Sequence, residues 1–324
     1  MLQHRKVLNM NIEHLEKREA ALKEMTLSAK DFELRKKFHQ ELMAIQEEIK
    51  QIREELKILE TPIQQMLPDI FEEKRAVPNS FLRGALFGMV KKGKRTLVKD
   101  EKIFSMSQYD ISFSGEYLDQ NDLELWDTLI YLAKQHKVEK ELRITLYELC
   151  KAMKLTPTNT SYEALLKRIQ RLQFGQVKII KNTKEIGGSL LNNYYIDKDG
   201  DGKLVIEYNR VFSHLFIDND YTLISIDVRH ALGDNQLARW LYNFYETHQA
   251  PIPFTIEFLK KLCRSESELK DFKYKLKKAL HLIKESFLSF NAKSQWDYEI
   301  INDQLFIYKS GKFDNSTKNQ PKLL

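Results

Sequence analysis

Residues 145–174 read TLYELCKAMKLTPTNTSYEALLKRIQRLQF, and this stretch decides the fold. A short helical run from Thr145 to Met153 meets Thr156, Pro157, Thr158 and Asn159, which supply a turn and a helix cap. A second helical run follows from Asn159 to Phe174, with Leu165, Ile169 and Leu172 on one side. Thr160, Lys167 and Arg171 lie on the other side, with Gln170 and Glu163 beside them. Two helices across a tight turn, the second apolar on one face and net basic on the other, meet the demand of a helix-turn-helix: one helix positions and the next enters the major groove. Arg can bridge guanine O6 and N7, Gln can pair with adenine, and Lys serves base or phosphate, so Thr160, Lys167, Gln170 and Arg171 are candidate DNA-reading residues.

Reading outward, a helix is predicted over Asp119 to His136, and two β-rich runs follow, Val177 to Lys181 and Leu190 to Tyr208, with turns at Gly187-Gly188 and at 199–202. Three helices and a β-hairpin are the order of a winged helix. On its wing Lys178, Lys181 and Lys184 would neutralise phosphates, or would simply be solubilising lysines. Upstream, Ser80 to Phe87 predicts a short helix and Lys102 to Gly115 a pair of short strands. The order recurs downstream: a strand over Tyr221 to Asp227, helices over Asp234 to His248, Thr255 to Cys263 and Glu266 to Phe287, then strands over Phe290 to Ile300 and Gln304 to Tyr308. No residue repeat accompanies it. In the long third helix Leu269, Phe272, Leu276, Leu280, Ile283 and Phe287 share one side. Opposite them fall Ser267, Lys270, Tyr274, Lys277, Lys278 and His281, with Ser265 at the preceding turn. Six Lys against three acids between 267 and 287 give this face either a DNA contact or ordinary solvation.

The first 60 residues contain neither Pro nor Gly, which suits continuous helix. Phe38, Leu42, Ile45, Ile49, Ile52, Leu56 and Leu59 alternate spacings of four and three, the heptad seam of a coiled coil, and Leu8, Ile12, Leu15 and Leu22 form a looser seam before it. Self-association and a hairpin folded on its own domain both satisfy that pattern. The expected organisation is α+β: a helical, coiled-coil segment over 1–60, a Pro-punctuated linker over 61–77, winged-helix domains over 78–217 and 218–310, and a basic tail over 311–324.

Residues 1–60 carry 12 basic and 12 acidic side chains, leaving 40 against 34 in the remainder, so the whole net charge of +6 lies with the mixed helix and strand signals. A basic region of this kind points to a polyanionic partner. No apolar run reaches a membrane span and the first 20 residues lack a signal-peptide core, which predicts a cytoplasmic protein without a membrane partner. Cys150 and Cys263, in amphipathic helical patterns, are expected to be small buried residues in a reducing compartment.

Catalytic patterns fail one by one. Residues 88–95, GMVKKGKR, come within one residue of a phosphate-binding loop, but Arg95 replaces the metal-binding hydroxyl and a helix leads in where a strand should. Asp197, Asp199, Asp201 and Gly202 open like a calcium loop, yet Tyr208 holds the position of its closing Glu. The eight His show no zinc spacing and no paired-His nicking motif. We therefore expect no enzyme, cofactor or metal.

RAVPN at 75–79, ALF at 85–87, IFS at 103–105, YDI at 109–111, SGE at 114–116, TLYELC at 145–150 and KRIQRLQ at 167–173, with Pro253, Phe258, Leu262, Cys263 and Ser265, resemble the DNA-binding region of the TrfA-like plasmid replication initiators. The resemblance covers roughly residues 74–310. It implies a bacterial protein with tandem winged helices that binds direct repeats, or iterons, in double-stranded origin DNA. It implies melting of adjacent AT-rich DNA, with single-stranded origin DNA as a further partner, recruitment of host DnaA and the replicative helicase, and a monomer–dimer balance in copy control. The family can also contact the sliding clamp through a glutamine and aromatic motif; Gln65 to Phe71 is a distorted match. The same fold could instead serve a transcriptional repressor or autoregulator.

Overall fold

A computed structural model describes residues 2–60, 67–69, 72–90, 93, 95–136, 141–182, 184–197, 203–217, 219–290 and 295–310. The chain divides into two compact units, Met1–Pro62 and Ile63–Leu324.

In the first unit the expected continuous helix is two: α1 (Leu2–Ser28) and α2 (Phe32–Glu60). The break needs neither Gly nor Pro. Ser28 Oγ donates back to the Glu24 carbonyl at 2.9 Å, and Asp31 Oδ1 accepts from the Leu34 amide at 2.8 Å, ending one helix and capping the next. Leu15 and Leu22 of α1 pack in one apolar cluster with Phe38, Leu42, Ile45, Ile49 and Ile52 of α2. Arg53 bonds Glu16 at 2.7 Å and Gln46 bonds Glu19 at 3.0 Å along the same seam. The groove that heptad spacing reserves for a partner helix is thus filled by the chain itself.

The second unit begins with β1 (Lys74–Pro78) and α3 (Asn79–Leu82), then β2 (Leu97–Ile103) and β3 (Asp110–Glu116). Next come α4 (Gln120–Gln135), β4 (Glu141–Ile144), α5 (Leu146–Ala152) and α6 (Asn159–Phe174), followed by β5 (Gln176–Lys181), β6 (Lys184–Ser189), β7 (Leu191–Ile196) and β8 (Leu204–Tyr208). After α7 (His214–Ile217), β9 (Tyr221–Ser225) and α8 (Ile226–Ala231), the chain forms α9 (Gln236–Glu246), β10 (Phe254–Thr255), α10 (Ile256–Leu262), α11 (Leu269–Phe290), β11 (Gln295–Ile301) and β12 (Gln304–Ser310).

Two three-stranded sheets share one topology. In the first, β8 lies between β4 and β7; in the second, β12 lies between β10 and β11. Each sheet therefore joins the strand that precedes a helix pair to the hairpin that follows it. The pairs themselves match at a constant offset of 110 residues, from Thr145 to Thr255 and from Lys154 to Arg264. Thr145 and Thr255 cap by accepting from the amides of Glu148 and Phe258, at 3.1 and 3.2 Å. Lys154 and Arg264 adopt left-handed φ of 51° and 56°. The amides of Leu155 and Ser265 then close onto the carbonyls of Cys150 and Lys260, at 2.8 and 2.9 Å. The duplication that residue identities conceal is explicit in the backbone.

One expectation fails here. The strands bearing Lys178, Lys181 and Lys184 do not form the hairpin of the first helix pair; β5 and β6 join β2 and β3 in a four-stranded sheet. The hairpin that completes the helix-pair sheet is β7–β8, whose connecting residues 198–202, including the Asp199 to Gly202 turn, lie outside the described residues. A single apolar core runs beneath all of these elements, with Trp126, Trp240, Phe81, Phe87, Phe212, Phe244 and Phe272 among its largest fully buried members.

Candidate nucleic-acid interface

The apolar stripe of α6 is the expected one: Leu165, Ile169 and Leu172 are fully buried. Thr160, Lys167 and Gln170 are exposed on the opposite side. Gln170 Nε2 donates to the Tyr194 hydroxyl of β7 at 3.1 Å, which ties this helix to its hairpin.

Arg171 is a correction. Its side chain is 13% exposed and turns inward, with Nε and Nη2 on Asp122 Oδ1 at 3.1 and 2.7 Å. Burial and the neighbouring Asp119 push the Asp122 carboxyl above the usual range, and Arg171 and Arg95 pull against them. Such a carboxylate demands a guanidinium, so Arg171 is a structural ion-pair partner. Lys181 is committed as well, its ammonium 2.7 Å from Asp220, and Lys178 pairs with Glu185 at 3.0 Å on the four-stranded sheet.

On α11 the inward stripe starts one turn later than expected. Phe272, Leu276, Leu280 and Ile283 are fully buried, whereas Leu269 is 37% exposed. Phe287 packs against Tyr242 and Trp296, with ring centroids 5.7 and 6.1 Å apart. Lys270, Tyr274, Lys277, Lys278 and His281 are all exposed. The Lys278 ammonium lies 4.5 Å from the Tyr274 ring centroid, and His281 bonds Glu285 at 3.0 Å. Ser265 and Ser267 join their hydroxyls at 2.9 Å where the helix begins. Lys273 and Lys284 belong to the scaffold, fastening the helix to its hairpin through Asp303 at 2.7 Å and Asp297 at 2.7 Å. What remains outward on α11 is Lys270, Lys277 and Lys278 with Tyr274 and His281, among which the carboxylates of Asp271 and Glu285 are also exposed.

Several residues that matter to this surface carry no signal in the sequence. Arg264 stacks 3.9 Å over the Tyr117 ring and donates to the Leu118 carbonyl at 3.0 Å; burial lowers its pKa to about 10. Arg143 reaches the Tyr195 hydroxyl at 3.2 Å across the first three-stranded sheet. Arg95, from the near-match to a phosphate loop, is bound to Asp119, Asp122 and the Tyr117 carbonyl. Both cysteines are fully buried, and burial raises the Cys263 thiol to about 12. Among the described residues no group of three His, Cys, Asp or Glu could hold a metal, and no helix is long and apolar enough to cross a membrane. Of the stretch Gln65 to Phe71 only 67–69 are described, and there Leu67 is buried in the core of the second unit.

Two matched helix pairs, each closed by a hairpin on a common core, define the class to which the molecule belongs, and a solved structure shares it. Domains 2 and 3 of RctB, in their selenomethionine derivative, align with a TM-score of 0.51 at 14% identity, over 72% of this chain and 96% of that one, a likeness of fold. The profile of the TrfA protein family matches residues 30–305, and the chain belongs to that family. The plasmid replication initiator protein TrfA of Escherichia coli is 27% identical over 203 residues, which are 60% of this chain and 52% of that protein; the chain spans about half the length of this relative.

Proposed function

We propose that the protein initiates plasmid replication by binding direct repeats in its origin through two winged helices, with α6 and α11 as the major-groove helices and β7–β8 and β11–β12 as the wings. The observation that carries this reading is the pair of helix-turn-helix segments with the same caps, left-handed turn residues and closing hydrogen bonds at an offset of 110 residues, each presenting an outward helix face of Lys, Thr, Gln or Tyr. An apolar inner face with a polar, cationic outer one is what groove binding requires. Family membership supports placing that binding at an origin; opening of AT-rich DNA and recruitment of DnaA and helicase are the later steps of this proposal.

The test is a salt-titrated mobility-shift assay on duplex repeats from the protein's own origin, against scrambled duplex. We expect preference for the repeats of about 10³-fold or more and affinity that falls with salt. Equal affinity for both duplexes removes the reading. An origin plasmid maintained only when the protein is supplied in trans separates initiation from repression, since a repressor leaves maintenance unchanged.

A further inference from the structure

Helix α4 carries three carboxylates, Asp122, Glu124 and Asp127, and its N-cap Asp119 a fourth, all less than 9% exposed, and they face partners from both halves of the second unit. Asp122 holds Arg171, near the end of the first outward helix. Glu124 holds Arg239 of α9 and His230 of α8, the latter at 2.8 Å. Asp127 holds Arg229 of α8 at 2.6 Å, with both side chains at or below 1% exposed. Neutral groups complete the seam: Arg239 donates to Asn121 at 2.6 Å, and Asn243 of α9 to Gln120 at 2.7 Å. Helix α9 packs in turn on α11 through Tyr242 and Phe287.

A second set of ties starts at the helix-pair turns. Lys154 reaches Asp227 of α8, the helix that precedes α9, at 2.6 Å. Its counterpart Arg264 reaches Leu118, just ahead of α4. Each turn is thus anchored to the segment that introduces the helices of the other half. Met89 donates to the Cys263 carbonyl at 2.7 Å, and a Cβ at Gly88 would stand 2.9 Å from the same oxygen, so the approach is too close for a hinge lined with side chains.

We infer that α4 is a ruler: Glu124 and Arg239 are positioning residues that hold the two reading helices at one fixed separation, so the protein selects the spacing between the two groove contacts within a repeat. The inference rests on the proposed DNA reading. Its physical basis is that rigidly linked binding modules lose their combined affinity when the sites no longer match their span, whereas flexibly linked ones tolerate the change. Buried ion pairs spanning α4, α8 and α9 supply that rigidity, and removing one partner leaves an uncompensated charge at the joint.

The experiment uses the full chain and duplexes carrying one origin repeat, footprinted to locate both contacts, then lengthened between them by one base pair and by half a helical turn. Wild type should bind the half-turn duplex at least about 100-fold more weakly than the native one. The double variant Glu124→Gln/Arg239→Gln should bind both within about threefold of each other, while Arg239→Lys keeps the wild-type ratio. The ratio between duplexes is decisive, because general destabilisation lowers both affinities alike. Wild type tolerating the insertion overturns the ruler whether or not the variants fold, and so does a folded double variant that still discriminates. A wild type that does not prefer its repeat to scrambled DNA overturns the DNA reading instead.

Discussion

Arg171 and His248 show how far a side chain's role depends on what buries it. Arg171→Ala leaves the buried Asp122 with Arg95 alone against it, so we expect a loss of about 3 kcal/mol in urea unfolding. Adding Asp122→Asn should recover much of it, and base preference at the repeat should not change in either variant. His248 donates from Nδ1 to the Phe244 carbonyl at 3.0 Å, beside the rings of Phe244 and Phe254, and burial, with Arg83 and Lys309 nearby, lowers its pKa from 6.5 to about 4. Between those values the unfolded chain takes up a proton that the folded chain refuses. Stability therefore falls as pH drops from 6.5 towards 4, by up to about 3 kcal/mol, and the effect saturates below that window. His248→Asn, whose amide can replace the Nδ1 donor, should flatten that part of a stability-versus-pH curve. An unchanged slope assigns the acid sensitivity elsewhere.

Elements were legible in the sequence wherever burial imposed a period. The stripe Leu165, Ile169, Leu172 and the run from Phe272 to Ile283 appear as read, because a helix between core and solvent writes its own pattern. Partner choice is not local, and there the reading failed. Nothing in residues 177–189 says that these strands pair with β3 and not with β4. Arg171 looks outward on a helical wheel because its partner, Asp122, sits 49 residues earlier. The α1–α2 break was hidden because Ser28 and Asp31 make it with side-chain hydrogen bonds in place of Gly or Pro. The hairpin supplies its own test. Ile49, 4% exposed in its small core, should cost about 2–4 kcal/mol when replaced by Ala. In the full chain this should speed hydrogen exchange along 32–60 and leave α6 and α11 protected. Equal acceleration in all three would refute an independent hairpin core.

Among the described residues of the second unit most arginines lie at least partly inside, with Arg143 an exposed exception, whereas the lysines of the two outward helix faces are exposed. Arg75, Arg83, Arg229 and Arg239 are buried, Arg171 and Arg95 are held by Asp122, and burial lowers the pKa of Arg168 on α6. The outward face of α11 offers Lys270, Lys277 and Lys278, and the outward face of α6 offers Lys167 with Gln170 and Thr160. A guanidinium forks onto the two acceptors of a guanine edge; an ammonium is a point charge that suits phosphate. Recognition at the repeats should then depend more on how readily the duplex bends and narrows than on hydrogen bonds to guanine. Replacing repeat guanines by 7-deazaguanine, which lacks the N7 acceptor, should weaken binding by less than about threefold, whereas altering flexible steps or A-tracts that neither helix touches should cost about tenfold or more. On the proposed reading the repeat is a mechanical signal before it is a chemical one, its sequence conveyed by the stiffness of the double helix.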